Sequence, residues 1–391
     1  MELIPRHIEP ILIELSRQYP VITITGPRQS GKTTLVKKLF AGKKYLSLEN
    51  PDQRELALSD PRAFLKEIQD GAILDEIQRA PDILSYLQEV VDNSTEKGKY
   101  ILTGSNQFSL LNNISQSLAG RTVLLKLLPF SLIEIKEYIA HLTTDELMYQ
   151  GFYPGIYRNN LNPTIAYRSY YETYIERDLR HLIYVKDLTL FQKFVRLCAG
   201  RIGQIFNAHQ LSNEVGVSVP TIKSWLSILQ ASYVVFLLPP YFENIKKRLI
   251  KSPKLYFYDV GLAAYLLGIE APGQLSRDPL RGALFENLVI TELIKARYNQ
   301  ALESNLYFFR DSHQNEVDVV FKQGSWFTTA EIKSAQTFTP YFLKGLNYFR
   351  KLFPERMKSE FLVYDGELEQ DIQGIHVTNY RTIAEKFFSN K

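Results

Sequence analysis

The spacing of apolar positions changes along this chain, and each spacing predicts a different kind of element. In the first third, the short apolar runs VITIT, AILD and YILT lead directly into polar or glycine-containing residues, which is typical of buried strands that end in loops. From Phe194 the apolar residues recur at helical spacing. Past residue 277, an amphipathic helix is followed by strands in which apolar and polar residues alternate. We therefore expect an α/β first part, a helical middle part and an α/β last part.

Composition is typical of a soluble globular protein. At 391 residues the chain is long enough for two or three domains, and an apolar content of 45% supports packed cores. The N-terminal sequence MELIPRHIEP lacks the pattern of a signal peptide, and the longest apolar run, YVVFLLPPYF, is about half a membrane span. The single cysteine, Cys198, lies in an apolar stretch and is expected in a core. These features predict a cytoplasmic protein without a disulfide framework.

A glycine-rich loop between a predicted strand and a predicted helix gives the clearest chemical signal. The sequence VITITGPRQSGKTTLVKKLF has Gly26, Gly31, Lys32 and Thr33 at the spacing of a phosphate-binding loop. In such a loop, backbone N–H groups surround a phosphate, the lysine reaches the outer phosphates and the threonine hydroxyl is a magnesium ligand. The predicted nucleotide-binding residues are Gly26, Pro27, Arg28, Gln29, Ser30, Gly31, Lys32, Thr33, Thr34, Ser105 and Asn106.

Acidic and polar residues follow the next predicted strands. After a phosphate loop, Asp75 is expected to hold magnesium and Glu76 to polarise the attacking water. A side chain among residues 103–106 is placed to contact the γ-phosphate or that water. Arg121 precedes a further strand, and it is either a surface ion pair or a charge-stabilising finger for a neighbouring subunit. The predicted catalytic residues are Lys32, Asp75, Glu76 and Arg121.

In this order, the phosphate loop, LDEIQ, ILTGSN and SLAGR followed by LPFS resemble prokaryotic AAA+ ATPases of the "ATP-binding protein" type, which have a C-terminal domain long labelled as of unknown function. The resemblance covers essentially the whole chain. It implies an α/β P-loop core, ATP with Mg²⁺, and a ring in which Arg121 acts in trans. The segment GFYPGIYR has Phe152 where the family often has a glycine, so only a loose structural role is expected there. Glu176, Arg177 and Asp178 are expected to form an ion-paired helix face.

The middle of the chain has the pattern of a helix-turn-helix. In NAHQLSNEVGVSVPTIKSWLSILQ, Gly216 permits a tight turn, and Ser218 or Val219-Pro220 begins the second helix. The flanking strands YVVFLLPPYF and KLYFYDV predict a wing between them. Contacts to nucleic-acid phosphates are predicted for Lys223, Lys246, Lys247, Arg248 and Lys251, with Lys254 in the same basic run. Winged helices also bind proteins, so a protein partner remains an alternative.

The sequence VDVVFKQGSWFTTAEIK predicts two strands around a turn. If Gly324 and Ser325 form a two-residue turn, Asp318 lies directly opposite Glu331, and Lys333 shares a face with Glu331. Two opposed carboxylates repel each other, which is unusual in a structural strand pair but suits a bound cation.

With Glu286 from the preceding helix, this set resembles the PD-(D/E)xK nuclease core. The resemblance implies that Asp318 and Glu331 hold magnesium and that Lys333 orients or activates water. Domains of this kind also serve as DNA-binding or structural modules, so nuclease activity is only one of the interpretations.

The predicted architecture has four parts. They are a P-loop AAA+ core (residues 1–130), a helical lid (131–193), a winged helix-turn-helix (194–272) and a small restriction-endonuclease-like α/β domain (273–391). The favoured hypothesis is an ATPase that remodels or translocates on DNA, including branched DNA, with a C-terminal domain that binds or cleaves DNA. The alternative is an ATP-dependent switch whose C-terminal domains bind protein partners. A formal charge of +4 is only weak support for DNA.

Overall fold

The computed structural model describes residues 3–105, 117–178, 187–242 and 252–389, with the backbone alone at 176–178. The predictions for Asn106 and for the basic residues Lys246, Lys247, Arg248 and Lys251 lie outside the described residues, as do the side chains of Glu176, Arg177 and Asp178. Within the described ranges, no helix is both long and apolar enough to cross a membrane.

A parallel five-stranded sheet forms the N-terminal part of the described chain. Its strands, in the spatial order β2-β3-β4-β1-β5, are β1 (Val21–Thr25), β2 (Lys44–Ser47), β3 (Ala72–Asp75), β4 (Tyr100–Gly104) and β5 (Thr122–Lys126). The accompanying helices are α1 (Glu9–Ser16), α2 (Lys32–Leu39), α3 (Pro51–Ser59), α4 (Pro61–Lys66), a 3₁₀ turn (Ile77–Arg79) and α5 (Ile83–Asp92). The apolar runs are continuous because separate clusters of buried side chains cover both faces of the sheet.

This arrangement confirms the α/β core predicted around the phosphate loop. Because all five strands are parallel, their carboxyl ends meet at one edge of the sheet, where ligands bind in open α/β folds. That edge receives the loop after β1 and the residues that follow β3 and β4.

Short helices form the middle of the described chain. They are α6 (Lys136–Ile139), α7 (Thr144–Gln150), α8 (Pro154–Arg158), α9 (Pro163–Tyr170), a π-helix (Tyr171–Asp178), α10 (Leu188–Ala199), α11 (Ala208–Val215) and α12 (Val219–Ala231). An antiparallel pair of strands follows, β6 (Val235–Leu238) and β7 (Lys254–Phe257).

The predicted helix pair is present at α11 and α12. Gly216 ends α11 in a left-handed conformation with φ +88°, and the Ser218 side chain caps α12 by accepting from the backbone N–H of Thr221. These are the two residues at which the sequence predicted the turn and the second helix.

The C-terminal part contains a mixed sheet with helices on both faces. Its strands, in the spatial order β12-β13-β11-β10-β9-β8, are β8 (Leu306–Arg310), β9 (Glu316–Gln323), β10 (Trp326–Lys333), β11 (Met357–Tyr364), β12 (Gln370–Ile372) and β13 (Ile375–Asn379). The helical segments are α13 (Val260–Leu266), α14 (Pro272–Leu275), α15 (Arg281–Tyr298), a 3₁₀ turn (Pro340–Leu343), α16 (Lys344–Leu352), a 3₁₀ turn (Tyr380–Thr382) and α17 (Ile383–Phe387). One apolar cluster extends from Leu128 to Phe387 and therefore joins the middle and C-terminal parts.

The β9–β10 hairpin has the predicted turn and register. Gly324 and Ser325 connect the strands, with Gly324 at φ +61°. Pairing runs from Gln323 and Trp326 to Val319 and Ala330. The predicted register is confirmed over these pairs, which end one position before Asp318 and Glu331.

Candidate functional site

The phosphate loop connects the carboxyl end of β1 to the first residue of α2. Gly26 has φ +152°, and a Cβ there would lie 2.1 Å from the carbonyl oxygen of Leu127, so only glycine fits. Gly31 precedes α2 in a left-handed conformation, with φ +94°. The predicted nucleotide-binding residues that form or directly follow this loop are Pro27, Arg28, Gln29, Ser30, Lys32, Thr33 and Thr34.

Lys32 is buried beneath the loop. Its Nζ donates to the carbonyl oxygens of Gly26 and Pro27 at 3.0 and 2.8 Å. Burial lowers the pKa of Lys32 to about 8, and the negative charges of Glu76 and Asp75 oppose this shift. A buried ammonium whose hydrogen bonds within the described residues go to neutral oxygens is suited to receive an anion such as phosphate.

Asp75 ends β3 and accepts hydrogen bonds from three hydroxyl groups. Thr33 Oγ1 lies 3.0 Å from each carboxylate oxygen, Tyr45 OH lies 2.7 Å from Oδ2, and Thr103 Oγ1 donates to Oδ1. Mg²⁺ prefers oxygen ligands of this type, so Thr33 and Asp75, next to the phosphate loop, fit a magnesium ion bound together with a nucleotide. Sequence reasoning missed Tyr45 because its contact with Asp75 depends on the pairing of β2 with β3.

Glu76 follows Asp75 in a left-handed conformation, with φ +57°. Ser105 Oγ donates to its Oε2 at 3.0 Å, and Gln78 Nε2 donates to the same oxygen. Gln78 also donates to Ser105 Oγ at 3.3 Å. These contacts hold the Glu76 carboxylate at the sheet edge beside Asp75. Gln78 belongs to the LDEIQ motif, for which the sequence analysis predicts roles only for Asp75 and Glu76.

A mainly apolar pocket adjoins the loop. Gly31 and Thr34 line it from the loop, and Ile4, Phe130 and Tyr157 line it from other segments, together with Pro154. Pro154 and Tyr157 belong to GFYPGIYR, so this segment contributes to the pocket as well as to the fold. An apolar pocket beside a phosphate loop suits a nucleobase.

Arg6 connects the N-terminal segment to the loop. Its Nη1 donates to the carbonyl oxygen of Ser30 at 2.9 Å, and its Nη2 donates to that of Leu128 at 2.7 Å. Its Nε forms an ion pair with Glu134 at 3.1 Å. Sequence reasoning missed Arg6 because its partners lie 24 to 128 residues away and no short motif surrounds it.

Tyr233 and Asp259 link the nucleotide site to the helical middle part. Tyr233 follows α12 in a left-handed conformation, with φ +57°, and its OH lies 2.7 Å from the hydroxyl of Thr25 at the base of the loop. Asp259 precedes α13 and accepts from the backbone N–H of Phe152 at 2.8 Å and from Tyr167 OH at 2.6 Å. Asp259 thereby holds the segment that leads into α8, the helix that contributes Pro154 and Tyr157 to the pocket.

Arg121 lies at the end of the sheet opposite the phosphate loop. It directly precedes β5, and its carbonyl oxygen accepts from the backbone N–H of Val21 at the start of β1. Its side chain makes a two-point ion pair with Asp92 of α5, with distances of 2.5 and 2.8 Å. Arg121 is therefore about a strand length, roughly 16 Å, from the loop of its own chain.

The C-terminal prediction brings the expected residues together. Lys333 Nζ lies 2.6 Å from Glu331 Oε1 and 3.8 Å from Asp318 Oδ2. The backbone N–H of Ile332 donates to Asp318 Oδ2 at 2.8 Å. Glu286 of α15 joins this group through an ion pair with Lys254, a residue that the sequence analysis places in the basic run.

Lys254 begins β7, and its ammonium lies among the carboxylates. Its Nζ is 3.0 Å from Glu286 Oε1, 2.5 Å from Glu316 Oε1 and 4.0 Å from Asp318 Oδ1. Burial acts to lower the pKa of Lys254, but the opposite charges of Glu286, Asp318 and Glu316 contribute to raising it well above its usual value. The interpretation of Lys254 as part of an exposed basic run is wrong, because its side chain is buried. We call Lys254, Glu286, Glu316, Asp318, Glu331 and Lys333 the carboxylate cluster.

This cluster does not fit a divalent cation. The Lys254 ammonium already provides the positive charge at the point where Glu286, Glu316 and Asp318 converge. In the part of the chain that the structure describes, no group of three or more His, Cys, Asp or Glu side chains is arranged to hold a metal ion. The magnesium role predicted for Asp318 and Glu331 therefore has no support in this geometry.

Glu331 has a further unusual feature. Its Oε2 is buried and makes no hydrogen bond with the described residues. Burial, followed by the charge of Asp318, raises the pKa of Glu331 to about 8, and Lys333 opposes the shift.

Of the predicted nucleic-acid contacts, Lys223 is described, and it is exposed on α12.

Three family descriptions match the chain. An AAA domain matches residues 18–136, a domain of unknown function (DUF8612) matches residues 142–273, and a domain of unknown function (DUF4143) matches residues 281–383. Among solved structures, the Walker-type ATPase PABY2304 of Pyrococcus abyssi overlaps 68% of this chain and 96% of its own, with 16% identity and a TM-score of 0.45. AMPPCP-bound DnaA from Aquifex aeolicus overlaps 57% and 85%, with 14% identity and a TM-score of 0.29. Neither overlap is close enough to carry an argument.

Curated relatives cover most of the chain. The uncharacterized protein Rv2008c of Mycobacterium tuberculosis is 31% identical over 354 residues, which are 89% of this chain and 77% of the relative. The uncharacterized protein Mb2031c of Mycobacterium bovis matches with the same figures. An uncharacterized protein of Haemophilus influenzae is 22% identical over 309 residues, 71% of this chain and 74% of the relative. The chain therefore belongs to the same family as Rv2008c, and its N-terminal part is an AAA-type P-loop ATPase domain.

Proposed function

We propose that this protein hydrolyses ATP in complex with Mg²⁺ at the loop of residues 26–34. The observation that carries the proposal is the contact of Thr33 with Asp75, at 3.0 Å, beside the buried ammonium of Lys32. A hydroxyl, a carboxylate and a lysine at the carboxyl edge of a parallel sheet are the groups that a nucleoside triphosphate with magnesium requires.

Lys32 and Glu76 have separate roles in this proposal. Lys32 exchanges its hydrogen bonds to the carbonyl oxygens of Gly26 and Pro27 for bonds to the outer phosphates, which stabilise its charge better. Glu76, held by Ser105 and Gln78, accepts a proton from the attacking water. Thr33 and Asp75 would hold magnesium, which when bound offsets the charge of the phosphates.

The pocket beside the loop receives the adenine base. Ile4, Phe130 and Tyr157 provide apolar surface there, and Arg6 fixes the N-terminal segment against the loop through the carbonyl oxygen of Ser30.

Arg121 acts on the nucleotide of a neighbouring subunit in a ring. Its distance from the loop of its own chain and its place beside β5 support a role in trans. In this proposal the ion pair with Asp92 breaks when the subunits assemble. The side chain is partly exposed, at 32%, and is therefore accessible to a partner.

The nucleotide state is transmitted to the helix pair and the C-terminal domain, which we propose bind DNA. The hydrogen bond between Thr25 and Tyr233 joins the base of the loop directly to the end of α12. Lys223, exposed on the same helix, supplies a contact to phosphate. We propose that the chain divides at residues 130, 193 and 272 into the ATPase core, a helical lid, a winged helix and a nuclease-like domain.

A protein partner is the second candidate. Within the described residues, the exposed positions of α12 are Pro220, Lys223, Ser224 and Ser227. A single basic side chain among them makes a poor surface for reading bases. The closed carboxylate cluster also favours binding over cleavage in the C-terminal domain.

ATP hydrolysis by the wild type and by Lys32→Ala tests the first part of the proposal. We expect hydrolysis by the wild type with Mg²⁺ and a loss of about 100-fold or more in Lys32→Ala. Lys97→Ala, at an exposed loop lysine, is the control and should match the wild type. Equal rates in wild type and Lys32→Ala would remove the proposed site.

The DNA assignment has its own test. Branched and linear DNA should each stimulate wild-type ATP turnover, and binding should weaken linearly in log affinity with log salt concentration. An ATPase that ignores every DNA form, together with recovery of a defined protein partner, would favour the second candidate. DNA cleavage that disappears in Asp318→Asn would restore nuclease activity as a function.

A further inference from the structure

We propose that Lys254 takes the place of a divalent cation in the carboxylate cluster, so that the C-terminal domain does not bind a metal ion there. This inference concerns a site apart from the nucleotide loop and does not depend on ATP hydrolysis.

The position of the ammonium is the first argument. Its carboxylate neighbours come from two different elements, Glu286 from α15 and Glu316 and Asp318 from β9. Carboxylates brought together from separate elements repel one another unless a cation lies between them. Lys254 Nζ, within 3.0 Å of two of them, is that cation.

Enclosure of the lysine is the second argument. Its side chain is 4% exposed, and its Nζ lies 5.4 Å from the centre of the Phe308 ring. The hydroxyl of Tyr256, two residues farther along β7, donates to the same Glu286 oxygen that Lys254 contacts. The β7 strand therefore closes this side of the cluster with an ammonium, an aromatic neighbour and a hydroxyl.

The remaining charges are also paired. Arg310 Nε lies 3.3 Å from Glu316 Oε2, and Lys333 Nζ lies 2.6 Å from Glu331 Oε1 and 3.8 Å from Asp318 Oδ2 on the other side of the cluster. Three cationic side chains, Lys254, Lys333 and Arg310, thus face the four acidic side chains of the cluster. A divalent ion added between Glu286 and Asp318 would lie beside the Lys254 ammonium. Because two neighbouring cations repel strongly, the ion would have to displace the ammonium.

Because Lys254 lies on β7, outside the C-terminal sheet, its ion pairs connect two parts of the chain. Lys254 belongs to β7, which pairs with β6 directly after the helix pair, whereas the carboxylates belong to α15 and the hairpin. The ion pairs therefore attach the middle part of the chain to the C-terminal sheet, where a metal ion would bind only the C-terminal residues.

Binding of Mn²⁺ to the full-length, nucleotide-free protein tests the inference. Electron paramagnetic resonance of free Mn²⁺ would be recorded for wild type, Asp318→Asn, Lys254→Ala and the double variant Lys254→Ala/Asp318→Asn. Any metal held by Thr33 and Asp75 is common to all four proteins and cancels in the comparison. Lys97→Ala, at an exposed loop lysine with no role in either site, is the matched control.

We expect wild type, Lys97→Ala and Asp318→Asn to bind the same amount of Mn²⁺. Lys254→Ala should gain about one Mn²⁺ per chain, since deprotonated carboxylates without a cation form an oxygen site. The double variant should lose that gain. If folded Lys254→Ala gains no Mn²⁺, or if wild type binds Mn²⁺ that Asp318→Asn abolishes, the inference is wrong. Should Lys254→Ala fail to fold, the comparison of wild type with Asp318→Asn still decides.

Discussion

The nucleotide loop and the carboxylate cluster each combine a buried lysine with acidic side chains, yet they treat the lysine in opposite ways. At the loop, Lys32 donates to the neutral carbonyl oxygens of Gly26 and Pro27. In the cluster, Lys254 is paired directly with the carboxylates of Glu286 and Glu316. Burial accordingly lowers the pKa of Lys32, whereas the surrounding carboxylates raise that of Lys254.

This difference separates a site that can accept charge from a site that is already neutralised. A phosphate that enters the loop gives Lys32 an anionic hydrogen-bond partner. In the protein itself, the nearby carboxylates of Asp75 and Glu76 act on Lys32 through their charge. A metal entering the cluster meets a cation that already holds the carboxylates together. The same residue types therefore give a reaction site in one part of the molecule and a structural connection in the other.

The largest expected effect is on stability. Lys254→Met removes the charge and keeps a similar length, which leaves the partly buried carboxylates of Glu286 and Glu316 without this cation. We expect the free energy of unfolding to fall by about 3–5 kcal/mol. Denaturant titration against Lys223→Met, at an exposed position, measures it. An unfolding midpoint equal to that of the wild type would show that Lys254 is not the cation of the cluster.

A smaller effect is expected from Tyr45→Phe at the nucleotide site. This change removes the hydroxyl that donates to Asp75, and such outer partners of metal ligands typically account for about 10–100-fold in metal affinity. The Mg²⁺ concentration for half-maximal ATP turnover should rise by about this factor, while turnover at saturating Mg²⁺ changes little. Tyr86→Phe, on α5, serves as control. A loss of turnover that excess Mg²⁺ does not restore would indicate a general disturbance of the loop instead.

Tyr233→Phe tests the link between the loop and the helix pair. It removes the hydrogen bond to Thr25, for which we expect a loss of about 1 kcal/mol in the free energy of unfolding. If the bond also transmits the nucleotide state, stimulation of the ATPase by DNA should decrease while basal turnover is retained. Stimulation equal to that of the wild type would leave the bond a purely structural role.

Lys32→Ala provides the counterpart to Lys254→Met. Because burial of the Lys32 ammonium is unfavourable and its hydrogen bonds go to carbonyl groups, its removal should leave the free energy of unfolding within about 1 kcal/mol of the wild type. Thermal unfolding without nucleotide measures this value. Destabilisation as large as that of Lys254→Met would erase the contrast between the two lysines.

The sequence predicted the features that depend on neighbouring residues. Gly26 and Gly31 specify the loop backbone, and the Gly324–Ser325 turn fixes the register of the hairpin up to Asp318 and Glu331. The acidic pair Asp75-Glu76 at the end of β3 could be recognised because it comes after a phosphate loop in the sequence.

Contacts between distant segments were beyond sequence reasoning. Lys254 is 32 residues from Glu286, and Tyr233 is 208 residues from Thr25. In the sequence Lys254 belongs to a basic run that suggests a solvated loop, and only the fold turns it inward. The predicted set of Glu286, Asp318, Glu331 and Lys333 contains no sign of a second lysine, so the sequence alone suggested a metal site.

Glu76→Gln provides the most direct test of the central claim, that ATP is hydrolysed at the loop with Glu76 acting on the water. ATP binding and steady-state hydrolysis would be measured in the same preparations of wild type and variant. Because the amide keeps the size of the side chain but accepts protons poorly, we predict wild-type ATP affinity with hydrolysis slower by about 100-fold or more. Hydrolysis by Glu76→Gln at the wild-type rate would contradict the account.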